Sequence, residues 1–195
     1  MRRRLLVPLA CAVLVAGCGN ERLDVRPLTD VAPPVGTQPV EIERAGMAFL
    51  APANWLVQDR RAPAVFTIQS GGAFVTGFAY RRDEDLPRTE QDLADAERRL
   101  RAEVEERDPG FAIRSTRTRE VDGAPAVDLR GTQTIANRRL ETRSVHVYKG
   151  QVEYVFEALA AADTFELASG GVLRRLLATA ELTGRLRRER GEREG

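Results

Sequence analysis

The chain has 195 residues, of which 43% are hydrophobic and 30% are charged. These proportions are typical of globular proteins, and the length suits one well-packed domain with tails, which excludes a wholly disordered chain and two ordinary domains. The formal net charge of +1 gives no strong attraction to nucleic acid, so no nucleic-acid partner is expected.

The N-terminus has the pattern of a secretory signal peptide. Three arginines at positions 2–4 precede a largely apolar stretch of twelve residues from Leu5 to Ala16. Because a helix needs roughly 20 apolar residues to cross a bilayer, this stretch predicts a cleavable signal over residues 1–17 and not a permanent span.

The residues that follow predict a lipid anchor. Val15-Ala16-Gly17-Cys18 resembles a bacterial lipobox, in which an aliphatic residue and two small residues precede a lipidated cysteine. The resemblance implies that the Cys18 thiol carries diacylglycerol and that its amine is acylated, for example with palmitate. Since two or more chains anchor stably, the protein is expected on the outer face of the cell membrane. The alternative is an unmodified cysteine after an ordinary signal peptide.

Proline and charge mark the two ends of the predicted domain. Residues 18–39 contain four prolines and no sustained period of 2 or 3.6, which predicts a semi-extended tether. Residues 184–195 are rich in arginine and glutamate and hold too little apolar surface to order themselves. The compact domain is therefore predicted over residues 40–183.

Most of this domain has the alternation and turn signals of β-strands. Asp122-Gly123 and Lys149-Gly150 each separate two strand-like segments, which predicts two hairpins. The predicted strands cover residues 46–51, 55–57, 65–68, 73–80, 112–121, 124–133, 140–148 and 151–160.

Two helices are predicted among the strands. The first begins after Pro87 with Thr89 as its N-cap and carries an apolar stripe at i, i+3, i+7 and i+11 from Leu93 to Val104. The second begins with Asp163 and Glu166 in capping-box spacing, although Gly170 and Gly171 weaken its middle. The order of elements is not the alternation of a parallel sheet. It predicts an α+β fold in which two main α-helices cover an antiparallel sheet, an α/β/α sandwich.

Several segments resemble one known fold family. Gly46, Phe49 and Pro52-Ala53-Asn54-Trp55, then residues 121–126 and the strand from Gly150 to Tyr154, resemble the PsbP/Mog-type proteins and are most similar to the LpqN/LpqT-like bacterial lipoproteins. The resemblance covers residues 40–183. It implies an accessory or binding module, because members of this fold include photosystem extrinsic subunits, a nuclear-transport GTPase cofactor and envelope lipoproteins. It carries over no binding residues.

The residues themselves give no catalytic constellation. His146 is the only histidine, and the sequence places no nucleophile and no further metal ligands beside it, so it is interpreted as an ordinary strand residue. No serine lies in a nucleophile elbow, and no glycine-rich loop has the spacing that cradles phosphate. The sequence therefore predicts a protein that is not an enzyme and has no metal or cofactor.

Two features suggest binding instead. Residues 82–108 hold eleven acids against six arginines, and residues 112–143 hold seven arginines against four acids, which predicts either a polarised docking surface or two solvated faces that screen each other. Aromatic residues either fill the core or line a space between helix and sheet that holds a small apolar ligand. The candidates for such a ligand site are Trp55, Phe78, Tyr80 and Tyr154.

Three functions follow from these observations. The first is a lipid-anchored domain of the cell envelope that binds another protein. The second is a carrier or sensor of a small lipophilic molecule. The third is a hydrolase that uses carboxylates, which requires two acids with shifted pKa values in a concave site.

Overall fold

The computed structural model describes residues 30–187. Within that range, ten strands form two antiparallel sheets and are accompanied by two α-helices and a π-helical segment. The predicted signal peptide, Cys18, the first part of the tether and residues 188–195 of the tail lie outside the described residues.

The strands are β1 (Gln38–Ile42), β2 (Met47–Ala51), β3 (Leu56–Asp59), β4 (Ala64–Ser70), β5 (Ala73–Arg81), β6 (Ala112–Val121), β7 (Ala124–Ile135), β8 (Arg138–Lys149), β9 (Val152–Ala160) and β10 (Glu181–Leu182). The helices are α1 (Glu90–Arg107) and α2 (Arg174–Thr179), and the π-helical segment is Leu167–Leu173.

The larger sheet has seven strands in the order β3-β4-β5-β9-β8-β7-β6. The hairpin predicted at Asp122-Gly123 is confirmed, since both residues have positive φ (51° and 68°) and β6 pairs with β7. A second two-residue turn at Ala136 and Asn137, also with positive φ, joins β7 to β8. Strands β6 to β9 therefore form a continuous antiparallel meander.

The main core lies on one face of the seven-stranded sheet. Alternate residues of the central strands point into it, among them Val75, Val145 and Phe156, each of which is fully buried. The three-stranded sheet β1-β2-β10 and the π-helical segment with α2 close this core from the other side.

Helix α1 packs on the opposite face of the sheet. It begins with the predicted cap, since Asp92 N–H donates to the Thr89 hydroxyl at 3.1 Å and Thr89 N–H donates to the Asp92 carboxylate at 3.0 Å. Leu100 and Val104 contact Val127 and Leu129 in a second, smaller core. Because α1 contacts mainly β6 and β7, the helix leaves the half of this face formed by β3, β4 and β5 uncovered by itself.

The predicted fold class of two main helices over a sheet is wrong. Strands account for 47% of the residues and the helices are short. The predicted second helix contains a seven-residue π-helical segment followed by six α-helical residues, and Gly170 and Gly171 lie within the π-helical part. A second antiparallel sheet does much of the covering that the prediction assigned to a helix.

Candidate functional site

A groove separates α1 from the uncovered half of the sheet. Its volume is about 460 Å³, and it combines aromatic side chains with carboxylates and the histidine. A larger concavity of about 850 Å³ runs along β2 and β10, but it is lined by no aromatic or histidine side chain. The groove is lined by Phe78, Tyr80, Arg82, Leu100, Glu103, Val104, Arg107, Phe111, Leu129, Thr142, Ser144, His146, Glu153, Val155 and Glu157.

Strand alternation places the polar groups of the groove on one face. The pairing of β8 with β9 sets Ser144 opposite Glu157 and His146 opposite Val155. The pairing of β5 with β9 sets Phe78 opposite Val155 and Tyr80 opposite Glu153. Because successive side chains of a strand point to opposite faces, these residues all point away from the main core and toward α1.

Glu153 is held by two cationic or polar partners. His146 Nδ1 lies 2.6 Å from Glu153 Oε1, and Arg82 Nε donates to Glu153 Oε2 at 2.6 Å. Desolvation by burial raises the pKa of Glu153, but the hydrogen bonds and charges of His146 and Arg82 together lower it by more, so this pKa lies below its ordinary value. Glu153 is therefore an ionised and fully engaged carboxylate.

Glu157 lies on the same face of β9 as Val155, two positions farther along the strand. Its carboxyl group contrasts with that of Glu153. It makes no hydrogen bond or ion pair with any residue of the described chain, and its oxygens remain accessible from the groove. Desolvation by burial raises its pKa, while the charges of His146 and Arg107 oppose that rise without cancelling it. The groove thus holds two acids whose pKa values are shifted in opposite directions, which is the arrangement that a hydrolase using carboxylates requires.

A cluster of arginines lies on the other face of the sheet, around the buried carboxylate of Asp128. Arg143, which is 3% exposed, donates to both oxygens of Asp128 at 2.9 and 2.6 Å. Arg117 donates to the same group at 3.2 and 3.0 Å, and Arg119 approaches it at 3.5 Å. Three guanidinium groups therefore surround one carboxylate and leave an excess of positive charge. We call these three residues the arginine face (Arg117, Arg119 and Arg143).

The arginine face is open to solvent at its edge. The side chains of Arg117 and Arg119 are 59% and 30% exposed. The buried Nε–H of Arg119 has no acceptor within the described chain. Since a guanidinium group presents planar pairs of donors that match carboxylates and phosphates, the solvent-exposed donors of Arg117 and Arg119, and not the buried Nε–H, give this edge capacity for an external anion.

Comparison with known proteins gives structural neighbours only. No protein-family model matches the chain, and no curated protein is similar to it in sequence. The solved structure of the cyanobacterial PsbP of Synechocystis aligns with a TM-score of 0.57 at 14% identity and covers 82% of this chain and 98% of its own. The chain has a PsbP-type fold. The resemblance predicted from the sequence is confirmed at the level of the fold.

A second neighbour has the same PsbP-type fold. It is LpqN of Mycobacterium tuberculosis, whose structure is described as that of a protein involved in cell envelope biogenesis. It aligns with a TM-score of 0.58 at 14% identity and covers 76% of this chain and 91% of its own. At this identity the comparison establishes the fold and leaves the activity and the site residues to be argued from the chain itself.

Within the PsbP-type domain, the four aromatic candidates occupy two different places. Phe78 and Tyr80 line the groove, with ring centroids 6.3 Å apart and ring planes 10° from parallel. Trp55 and Tyr154 are buried in the main core instead, and each makes a polar contact, Trp55 with the Ala32 carbonyl and Tyr154 with the backbone N–H of Gly184. A ligand role for any of the four stays a prediction.

Sequence reasoning did not single out the polar part of the groove. The interpretation of His146 as an ordinary strand residue does not include its contact with Glu153, and the sequence does not distinguish Glu153 and Glu157 from other acids. The available signal was alternation, which sets Glu153 and Glu157 on one face of the same strand. Among residues 30–187, no group of three or more histidine, cysteine, aspartate or glutamate side chains has the geometry to hold a metal ion. No helix of the same range is long and apolar enough to span a membrane.

The raised pKa of Glu157 predicts a pH-dependent effect of Glu157→Gln on stability. A carboxyl whose folded pKa lies above its unfolded value of about 4.3 destabilises the fold as pH rises through that interval. Glu157→Gln removes this effect. The stability of the variant relative to the unmodified chain should therefore increase from pH 4.5 to pH 7.5, as measured by urea unfolding. Glu105→Gln, at an exposed position of α1, is the control and should show no such gain. An equal stability difference at both pH values for Glu157→Gln would contradict the prediction.

Proposed function

We propose that the chain is a membrane-anchored accessory domain of the bacterial cell envelope that binds an acidic segment of another protein and has no enzymatic activity of its own. The arginine face is the observation that carries this proposal, because it combines excess positive charge with exposed guanidinium groups. The N-terminal sequence supports export and anchoring through Cys18. The PsbP-type fold, shared with the LpqN described as involved in cell envelope biogenesis, supports an accessory role outside the cytoplasm.

The predicted acidic partner follows from charge complementarity. Asp128 neutralises one of the three arginines, which leaves a net charge of about +2 on this part of the sheet. Guanidinium groups pair with carboxylates through two parallel hydrogen bonds, so a segment with several aspartate or glutamate residues has matching geometry. Such an association is steered by charge and weakens as salt rises.

The binding test places a photo-reactive amino acid at Ser115, an exposed residue of β6 on the side of the arginine face. Irradiation of cells is expected to give an adduct of defined mass, and Arg117→Glu with Arg119→Glu is expected to reduce that adduct at least about tenfold, because two charge-assisted contacts are lost. The matched control is Arg88→Glu with Arg98→Glu, two exposed arginines near and on α1, which should leave the adduct unchanged. An adduct insensitive to the first pair of variants, or equally sensitive to both pairs, would remove the arginine face from the proposal.

The anchoring test is independent of the partner. Cys18→Ser is expected to move the protein from the membrane fraction to the soluble extracytoplasmic fraction and to abolish incorporation of labelled palmitate, since one thioether-linked lipid is required for the acylated anchor. The arginine variants should stay in the membrane fraction. If Cys18→Ser fractionates as the unmodified chain does, the anchor does not exist.

A second candidate function is the carriage or sensing of a small lipophilic ligand. The groove beside α1 favours it, because Phe78 and Tyr80 are partly exposed there next to Val155 and Leu129. A concave site with apolar walls and a few polar groups is the usual form of a small-molecule site. This candidate uses the face of the sheet opposite to the arginine face, so the two functions are separable by mutation.

A further inference from the structure

We infer that the groove beside α1 binds an organic cation, specifically an ammonium head group on an apolar body, with Glu157 as the group that recognises the positive charge. This inference deepens the second candidate function and does not depend on the arginine face. It rests on the charged groups that face the groove, on the hydrogen bonds and ion pairs that these groups make, and on the aromatic side chains that line the groove.

The first step is the charge of the groove. Four elements bring titratable groups to it, and only some of these groups are paired. Glu153 is held by Arg82 and His146, as described above, whereas Glu103 and Arg107, at exposed positions of α1, form no ion pair within the described chain. The groups facing Glu157 are Glu103 and Arg107 of α1, Tyr80 of β5 with the adjacent Arg82, His146 of β8 with the hydroxyl of Ser144, and Glu153 of β9.

Glu157 is the half-buried carboxyl group of the groove that has no hydrogen bond or ion pair within the described chain, since Glu153 is paired and Glu103 is exposed. Three carboxyl groups and two arginines line the groove, so its acids outnumber its arginines by one. A half-buried carboxylate without a partner costs free energy, and a bound cation removes that cost. The unsatisfied group is therefore a recognition element and not part of the packing.

The second step is the aromatic wall. Quaternary and other ammonium groups bind over aromatic faces, and they bind best where a carboxylate is near. The groove already contains one such contact, since the guanidinium of Arg82 lies 5.5 Å from the centroid of the Tyr80 ring. The neighbouring Phe78 ring, nearly parallel to that of Tyr80, has no cation over it within the described chain. Phe78 and Glu157 thus provide the two contacts that an ammonium group needs.

The third step concerns a ligand of the opposite charge. A carboxylate or phosphate head group needs a free cation, but Arg82 is held by Glu153 and by the Tyr80 ring. Arg107 is the remaining arginine of the groove; it forms no ion pair within the described chain, and its charge acts on Glu157. An anionic ligand in the groove would also lie against Glu157. The apolar wall of Leu129, Val155 and Phe111 accommodates the hydrocarbon part of either ligand. The charge of the head group therefore decides which ligand binds.

The test compares two probes with the same chain length and opposite charge. Decyltrimethylammonium and decanoate, both below their micelle-forming concentrations, are titrated into the chain from residue 18 to residue 195 carrying Cys18→Ser, and binding is followed by calorimetry. Saturable binding of the cation and none of decanoate is expected. Glu157→Gln should weaken cation binding by about tenfold, the size of a lost contact with a charged group. Glu105→Gln should change it by less than about twofold.

The pH dependence separates a direct role of Glu157 from a structural one. Cation binding requires the ionised carboxylate, so affinity should rise as pH rises through the pKa of Glu157, and Glu157→Gln should remove the part of this dependence that belongs to Glu157. Phe78→Ala should weaken binding while leaving the pH dependence in place. Decanoate binding as tightly as the cation, full affinity in Glu157→Gln, or no saturable binding of the cation would each overturn the inference. None of these results would alter the Ser115 adduct, which reports on the arginine face.

Discussion

Replacement of Asp128 by alanine is expected to lower the free energy of unfolding by about 3–5 kcal/mol, the cost of removing one partner from a buried ion pair. Asp128 is 1% exposed and Arg143 is 3% exposed. Without the carboxylate, the guanidinium of Arg143 stays buried among β7, β8 and β9 with no compensating charge. Urea unfolding followed by circular dichroism measures the change.

Two controls separate the buried pair from charge in general. Asp95→Ala removes an exposed partner of Arg98 on α1 and should cost less than about 1 kcal/mol. Asp128→Leu combined with Arg143→Met removes both buried charges and should recover most of the stability lost in Asp128→Ala, since apolar groups of similar size replace an ion pair at little net cost. A loss below 1 kcal/mol for Asp128→Ala would show that the arginine cluster is not dependent on its carboxylate.

The same carboxylate predicts sensitivity to acid. Desolvation by burial raises the pKa of Asp128, but the hydrogen bonds and charges of Arg143 and Arg117 lower it by more, so the folded pKa lies below the unfolded value of about 3.9. A depressed pKa contributes stability that is present above the unfolded pKa and is lost as pH falls through the folded one. The unmodified chain should therefore lose stability below about pH 4 more steeply than the Asp128→Leu/Arg143→Met variant.

Local sequence patterns predict the parts of the fold that depend on neighbouring residues. The hairpin at Asp122-Gly123 was predictable because both residue types tolerate positive φ, and α1 was predictable from its apolar stripe and its Thr89 cap. The turn at Ala136 and Asn137 gave no comparable signal, since alanine rarely adopts positive φ. The continuity of β7 into β8 was therefore missed.

Contacts between distant residues account for the larger error in the fold class. Strand β10 has two residues, Glu181 and Leu182, and pairs with Ala48 and Met47 of β2, more than one hundred positions earlier. No local period marks so short a strand, so the three-stranded sheet that covers the core could not be predicted. Gly170 and Gly171 did indicate a weak second helix, and the structure has a π-helical segment there.

The candidate site was predictable only in part for the same reason. Alternation along β5 places Phe78 and Tyr80 on one face, but it does not say which face α1 covers or where the helix ends. The contact between His146 and Glu153 depends on the register of β8 against β9, in which His146 lies opposite Val155. A histidine that looked isolated in the sequence therefore has a carboxylate partner that is seven residues away along the chain.

Alanine replacements of the four aromatic candidates should divide them into two pairs. Tyr154→Ala and Trp55→Ala are expected to lower the free energy of unfolding by about 3–5 kcal/mol each, because both side chains are buried in the main core and leave cavities there. Phe78→Ala and Tyr80→Ala, at partly exposed positions of the groove, should cost about 1 kcal/mol, the typical effect of a single substitution.

Urea unfolding of the four variants measures this division, and Tyr154→Phe refines it. That variant keeps the ring and loses the hydrogen bond from Gly184 N–H to the Tyr154 hydroxyl at 3.1 Å, so a loss of about 1 kcal/mol is expected. A loss for Phe78→Ala as large as that for Tyr154→Ala would mean that the groove aromatics are packing residues. Their partial exposure argues otherwise: neither side chain belongs to the main core, and the Phe78 ring has no cation over it within the described chain.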